Sequence, residues 1–347
     1  MKPKIVLFLV LGLLIAISVF IFLQPDPTPT LPINLKVISG ENAAQIEKLV
    51  QIKDRGVMIA LAFDSKTNFL ASGNNGAFHI PGNIHLIDAH SGLMVDTIND
   101  FPTVRSVALS PDGRILAIGT EGFSNNPVTL WDVQSRKIAV QLNSHAGRMN
   151  KVVFSSDGKA LASAGDDGTV RLWDVELQQL ITIFYGHTHW VKSVAFSPDG
   201  KALASAGFDG TVRLWDVELR QPITVLYSHD RYVWDLAYNS QGTLLAGASG
   251  DLIQLWSTSD DRDLLRELHG HTGAVWSLSF SADGSILASV AQDNTLRLWD
   301  VEMGQVLAEI PFRNILGMQA VEFSPDGRLL AVALNGDIQL WGIPEQQ

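Results

Sequence analysis

No cysteine occurs anywhere in the 347 residues. That absence removes disulfides, thiolate nucleophiles, Fe–S clusters, structural Cys zinc sites and any lipidated N-terminal cysteine. It leaves the redox compartment unmarked, because a cysteine-free chain is stable on either side of a membrane. Basic clusters are missing too. The formal net charge is -11, and without Lys2 and Lys4 the balance is more acidic still. Phosphate backbones are gripped by clustered Lys and Arg, so nucleic acid is not an expected partner. An anionic lipid surface is disfavoured on the same ground. No glycine pattern has the spacing that cradles a phosphate.

What is present begins with an address. Lys2 and Lys4 precede an uninterrupted apolar run from Ile5 to Leu23. At about 1.5 Å per helical residue the run reaches roughly 28 Å, close to the hydrocarbon thickness of a bilayer. No basic residue follows until Lys36, so the positive-inside bias puts residues 1–4 in the cytoplasm and the bulk of the chain outside it. The segment 5–23 reads as a transmembrane helix. A cleaved signal peptide, with Ala16 and Ser18 as the small residues before the cut, is the alternative and would give a secreted protein. Residues 24–34 hold four prolines and read as an extended, semi-rigid spacer.

From residue 35 onward the sequence repeats itself. Leu-Trp-Asp-Val stands at Trp131, Trp173, Trp215 and Trp299, Leu-Trp at Trp256 and Trp341, and Leu-Ile-Asp at Ile87. These positions recur at intervals of 41 to 44 residues. Residues 180–217 display one unit, with four short alternating apolar runs separated by turn residues, which predicts four strands. Ser197-Pro198-Asp199-Gly200 is one such turn: proline presets φ at the first corner, aspartate caps locally, and glycine accepts a positive φ. The same four residue types stand at Ser110–Gly113 and Ser324–Gly327, with looser copies at Ser155–Gly158 and Ser281–Gly284.

A four-stranded unit at this period is a propeller blade. The Trp-Asp signature and the Gly186-His187 pair resemble those of the WD-repeat family, in a bacterial-type member that is membrane-anchored or exported. The resemblance implies an all-β, seven-bladed β-propeller over residues 35–347, preceded by one hydrophobic N-terminal helix. After Trp341 too few residues remain for an outermost strand, whereas Ile46 to Ile52 reads as a spare one. It is expected to complete the last blade, the strand exchange that closes WD-repeat rings, leaving no ragged edge.

Three units carry His, Ser, Asp and Trp in register: His145, Ser163, Asp167 and Trp173; His187, Ser205, Asp209 and Trp215; His271, Ser289, Asp293 and Trp299. Ser, His and Asp together suggest a nucleophilic triad. A catalytic site must be singular and open to substrate, and this set is copied three times. The resemblance implies a buried hydrogen-bond relay instead, in which every polar group finds a partner. Units one, two, five and seven lack at least one member. Unit five has His229 and Trp256 but Gly250 in place of aspartate, and apolar packing is expected to hold those blades. His79, His85 and His90 lie close in sequence without a carboxylate or cysteine at ligand spacing, so no metal is expected. Asp260, Asp261 and Asp263 around Arg262 read as solvated surface.

The repeat explains six of the nine tryptophans. Trp190, Trp234 and Trp276 fall beside the Gly-His loop or at the next outward position of the following strand. Equivalent positions hold Arg148, Asn150, Lys192 and Tyr232, and Phe208 stands on the neighbouring turn. Aromatics and arginine are enriched at binding hot spots, so Trp190, Tyr232, Trp234, Trp276, Phe208, Arg148 and Lys192 are the candidate partner site. Shielding of blade edges is the competing explanation. Longer loops around Gly76–Gly82 and Glu121–Pro127 add Phe78, His79 and Phe123 to the same face.

The expected function is a non-catalytic interaction scaffold on the extracytoplasmic side of a membrane, binding a protein or peptide, with no cofactor. A propeller enzyme or a small-ligand sensor using the central channel is the alternative. An enzyme needs unrepeated acid, base or metal-binding residues converging on the axis, and the repeat pattern reveals no such group.

Overall fold

The computed structural model describes residues 31–345 apart from 33, 65, 67, 68, 77–80, 122–126, 144, 228–230, 260 and 313–317. The apolar run 5–23 and nearly all of the 24–34 spacer therefore lie outside the described residues. Among the described residues no helix is long and apolar enough to cross a membrane.

Five four-stranded antiparallel sheets and one six-stranded sheet make up the chain. The six-stranded sheet is two blades fused by long strands. In Leu330–Gly342, Gly336 takes φ 93°. The part before it pairs with Met318–Phe323, and the part after it pairs with the start of Glu47–Phe63. The end of Glu47–Phe63 then pairs with Phe69–Asn74 and opens blade 1. There are thus seven blades, and the spare strand predicted from the sequence closes the last one, with Glu47 opposite Gly342 and Ile52 opposite Ile338.

The closure reaches further upstream than the sequence indicated. Leu35 bridges Pro344, Lys36 N–H donates to Ile343 O, and Ile38 N–H donates to Gly327 O. Ile38 is fully buried among Ile286, Val321, Phe323 and Ile343. Full burial of such a side chain contributes about 1.5–3 kcal/mol, so residues 35–46 are a latch on the outside of the last blade.

Blade 4 shows why this sequence makes these strands. Its second strand, Ala202–Gly207, is buried along nearly its whole length, because neighbouring blades cover both faces. Only small side chains such as Ala204, Ser205 and Ala206 permit that approach, while Leu203 fills the gap between sheets. Its turn is built as the residues dictate. Gly200 N–H donates to Ser197 O at 2.8 Å with Gly200 at φ 71°. Ser197 Oγ donates to Asp199 Oδ1 at 2.6 Å and accepts from Ala202 N–H at 2.9 Å.

The innermost strands of all seven blades line a central cavity of about 190 Å³. Neighbouring blades are stitched together around it. Ser106 Oγ accepts from Val152 N–H, Ser193 Oγ from Leu236 N–H and Ser277 Oγ from Val321 N–H, at 3.0, 3.1 and 3.3 Å. Each link ties an even-numbered blade to the next one.

Candidate functional site

The three four-residue sets come together within their blades. In blade 3, His145 Nδ1 lies 2.8 Å from Asp167 Oδ1, His145 Nε2 lies 2.9 Å from Ser163 Oγ, and Trp173 Nε1 donates to Ser163 Oγ at 3.0 Å. In blade 4, His187 meets Asp209 at 2.9 Å and Ser205 at 2.8 Å, and Trp215 donates to Ser205 at 2.8 Å. In blade 6, His271 meets Asp293 at 2.9 Å and Ser289 at 2.7 Å, and Trp299 donates to Ser289 at 2.8 Å.

The indole N–H occupies one acceptor site of the serine oxygen. The carboxylate can only accept, so Nδ1–H donates to it, and Nε2 of the neutral imidazole then accepts from the hydroxyl. All three serines are fully buried, so no substrate carbonyl can reach them. A fifth member escaped the sequence reading: Thr169, Thr211 and Thr295 each donate to the same aspartate, at 2.8, 2.9 and 2.8 Å. The signal was available as a threonine two residues after each aspartate.

Burial by itself would raise the Asp167 carboxyl, but hydrogen bonds from His145 and Thr169 outweigh it and hold the group well below the usual carboxylate range. The balance at Asp209 is the same, through His187 and the Thr188 and Thr211 N–H groups. Where the set is incomplete the cost is visible. The indole N–H groups of Trp131 and Trp341 are buried without a hydrogen-bond partner among the described residues. Edge contacts with Phe101 and Phe312 pack those rings instead.

The tryptophans outside the repeat join one aromatic surface across blades 4 to 6. Phe208 stacks on Tyr232 at 4.3 Å and meets Trp234 edge-on at 4.7 Å, and Trp234 meets Trp276 edge-on at 4.6 Å. Trp190 lies 5.5 Å from Phe208, and His189 touches both. Gly207 makes the first contact possible. A Cβ there would run into the Trp190 carbonyl, and that carbonyl instead accepts from Phe208 N–H at 2.9 Å.

The rings are not all loop-borne. Trp190 and Tyr232 are 39% and 53% exposed on the face. Trp234 and Trp276 are half-buried and line the channel mouth. Lys192 stands at the junction, with Nζ 5.4 Å from the Phe208 ring centre and 5.8 Å from that of Trp234, donating to Asn150 Oδ1 at 2.8 Å. Arg148 is apart from the rings and pairs with Glu121 at 2.7 Å. Phe78, His79, Phe123 and His229 lie outside the described residues.

The expectation that no unrepeated charged group converges on the axis is corrected here. Lys151 Nζ lies 3.4 Å from Asp235 Oδ1 inside the channel, and Glu322 lines the same cavity. Asp235 also accepts from Ser193 Oγ at 2.8 Å and from Leu278 N–H at 3.1 Å. Burial pushes the Glu322 carboxyl up to about 7, with Lys151 opposing and Asp235 adding to the shift. Among the described residues no cluster of His, Asp and Glu has the makings of a metal site. His85 Nδ1 is 3.1 Å from Thr97 Oγ1, and Asp261 and Asp263 are exposed.

A family model for the WD domain, G-beta repeat, matches residues 136–174, 178–216, 220–257 and 262–300. Each match starts at the outermost strand of one blade and ends on the third strand of the next. Residues 136–300 carry WD40 repeats. This WD40-repeat propeller is 33% identical over 110 residues to a guanine nucleotide-binding protein subunit beta of Solanum tuberosum, covering 28% of each chain. It is 38% identical over 63 residues to pre-mRNA-processing factor 19 homolog 2 of Arabidopsis thaliana, covering 18% of this chain and 11% of that protein. A periodic tryptophan protein 2 homolog of Mus musculus is 30% identical over 114 residues, covering 33% and 12%. The chain thus spans under a third of the length of these relatives. They are plant and animal proteins, and the bacterial type expected from the sequence gains no support from them. WD40 propellers are usually non-catalytic scaffolds for protein interaction.

Proposed function

We propose that this WD40 propeller is a non-catalytic interaction scaffold whose protein or peptide partner docks at the channel mouth, over Trp190, Phe208, Tyr232, Trp234 and Trp276. The observation that carries this reading is the continuous ring cluster across three blades, with exposed edges at Trp190 and Tyr232. Most of a relay blade's aromatics are consumed by its own packing, and these five belong to no relay. Large rings in a partly dry setting are the residue type that anchors hot spots. The potato relative is by its name one subunit of an assembly, which agrees with a docking role.

We place the propeller on the extracytoplasmic side of a membrane, held by residues 5–23 across the spacer 24–34. Lys2, Lys4 and the apolar run support that reading. A central-channel site for a small ligand is the second reading, and the Lys151, Asp235 and Glu322 group favours it. Affinity capture from detergent-solubilised native membranes tests the first. A partner retained by the natural protein and lost with Tyr232→Ala and Trp190→Ala supports it; capture unaffected by both substitutions overturns it.

A further inference from the structure

The channel mouth has two unlike halves. Blades 4 to 6 contribute the rings. Blades 2 to 4 contribute cations: Arg105, Arg148 and Lys192, set in a protein of net charge -11. Glu121 is shared by both guanidiniums, at 3.6 Å from Arg105 and 2.7 Å from Arg148. The Asp166 carboxylate is engaged by the Asn150 amide at 2.8 Å. Lys192 has a neutral carbonyl oxygen and two ring faces around its ammonium. Among the described residues no carboxylate lies within ion-pair distance of it. Burial first, then the fields of Arg105 and Arg148, push the Lys192 amine down to about 8 against the pull of Asp166 and Glu121. A further negative charge brought beside Lys192 would relieve that repulsion.

We propose that the segment docking at this mouth is acidic and carries an aromatic side chain: its carboxylates face Lys192 and the Arg105–Arg148 pair while its ring packs on Trp234 and Trp276. The inference rests on the docking site proposed above and adds the partner's chemistry. Charge complementarity decides between partners. A basic segment meets like charge beside the rings, and like-charge juxtaposition suppresses wrong partners strongly. An acidic segment is repelled by the rest of this acidic surface and attracted here, which fixes where it lands. The ring half supplies the contact area that makes the complex last, because truncations of central aromatics dominate dissociation.

The test uses the full chain in detergent and three fluorescent peptides with a single tryptophan, flanked by aspartates, by glutamines or by lysines, with binding read by anisotropy. The aspartate peptide is expected to bind about tenfold or more tighter than the glutamine peptide, with an advantage that shrinks as salt is raised. Lys192→Gln is expected to shrink that advantage with an unchanged melting temperature. Glu121→Gln, which frees both guanidiniums, is expected to tighten the aspartate peptide, a gain that no loss of folding can imitate. Equal or tighter binding of the glutamine or lysine peptide overturns the acidic partner and leaves the aromatic docking site standing. Binding of none of the three also overturns it, while capture with the Tyr232 and Trp190 variants judges the docking site separately.

Discussion

Lys151 Nζ on the innermost strand of blade 3 lies 3.4 Å from Asp235 Oδ1 on the innermost strand of blade 5, so one ion pair bridges the channel past the whole of blade 4. Asp235 is the better connected partner. Its other oxygen takes Leu278 N–H of blade 6, and Ser193 of blade 4 donates to it. Three blades therefore converge on one carboxylate, where the serines at the equivalent positions of blades 2, 4 and 6 link only two.

Removing that carboxylate is expected to cost much more than removing its cation. Asp235→Ala orphans a buried hydroxyl and a buried N–H as well as the ammonium, and is expected to destabilise by about 3 kcal/mol. Lys151→Met leaves the Asp235 carboxylate its hydrogen bonds from Ser193 and Leu278 and is expected to cost less. Urea unfolding of both variants gives the comparison. Equal losses would mean that the charge pairing, not the hydrogen bonds between blades, is what Asp235 contributes.

Glu322 makes stability depend on pH near neutrality. Its folded carboxyl is raised to about 7 from an ordinary 4.5. The folded state therefore holds a proton that the unfolded chain releases between those values. The stabilisation is complete below the ordinary value and is lost as pH rises through the folded one. Glu322→Gln keeps the neutral shape, so it is expected to melt higher than the natural protein at about pH 8.5 and alike near pH 4.5. Parallel melting curves across that range would show that Glu322 is solvated and titrates normally.

The relay blades and the incomplete ones are expected to answer differently to loss of a tryptophan. Trp215 is 2% exposed and its indole is bonded to Ser205, so Trp215→Phe loses a made hydrogen bond and is expected to cost about 1–3 kcal/mol. Trp131 has a buried indole N–H with no partner among the described residues. Trp131→Phe removes that unsatisfied donor along with some ring area, and is expected to cost less than the blade 4 change. Chemical denaturation decides, and a larger loss at Trp131 would mean that ring volume outweighs the relay.

Deleting residues 46–52 is expected to strip the outermost strand from the last blade, exposing the edge that runs from Asp337 to Gly342. An unpaired edge invites pairing with another chain, so aggregation or a sharply lowered melting temperature is expected. The latch at Leu35 and Ile38 contacts the same blade independently. A truncated protein that stays monomeric and equally stable would mean that this latch alone holds the ring shut.

Blade number, turn chemistry and ring closure were legible because each is written locally: a tryptophan at fixed period, Ser-Pro-Asp-Gly between two apolar runs, a strand left over at one end. The relay was legible through repetition, and its threonine was overlooked although it stands two residues from the aspartate. The channel charges were not legible. Lys151 and Asp235 are 84 positions apart, and each looks like an ordinary polar residue on an alternating strand. Only closing the ring sets the innermost strands around one axis. Trp234 and Trp276 suffered from the same gap: the repeat sets each just past the Gly-His loop, and only the closed ring brings them together at the channel mouth.

The two exposures within the aromatic surface separate binding from packing. Trp190 is 39% exposed and meets only Phe208 and His189 among the described rings, so Trp190→Ala is expected to change stability by about 0.5 kcal/mol, in the range of surface substitutions. Trp234 is half-buried between Phe208 and Trp276. An edge-to-face aromatic pair contributes about 0.5–1.5 kcal/mol beyond its area, so Trp234→Ala is expected to lower stability by about 1–3 kcal/mol while the relay blades remain intact. Each truncation of a central anchor typically weakens binding by about 2 kcal/mol, so the pair together is expected to reduce affinity roughly a hundredfold or more. The decisive comparison is between the two single variants under conditions where both are folded. If Trp190→Ala, which barely touches stability, leaves affinity for the captured partner unchanged, and Trp234→Ala weakens it only in proportion to the fraction unfolded, then the rings pack the channel mouth and the partner binds elsewhere on the propeller.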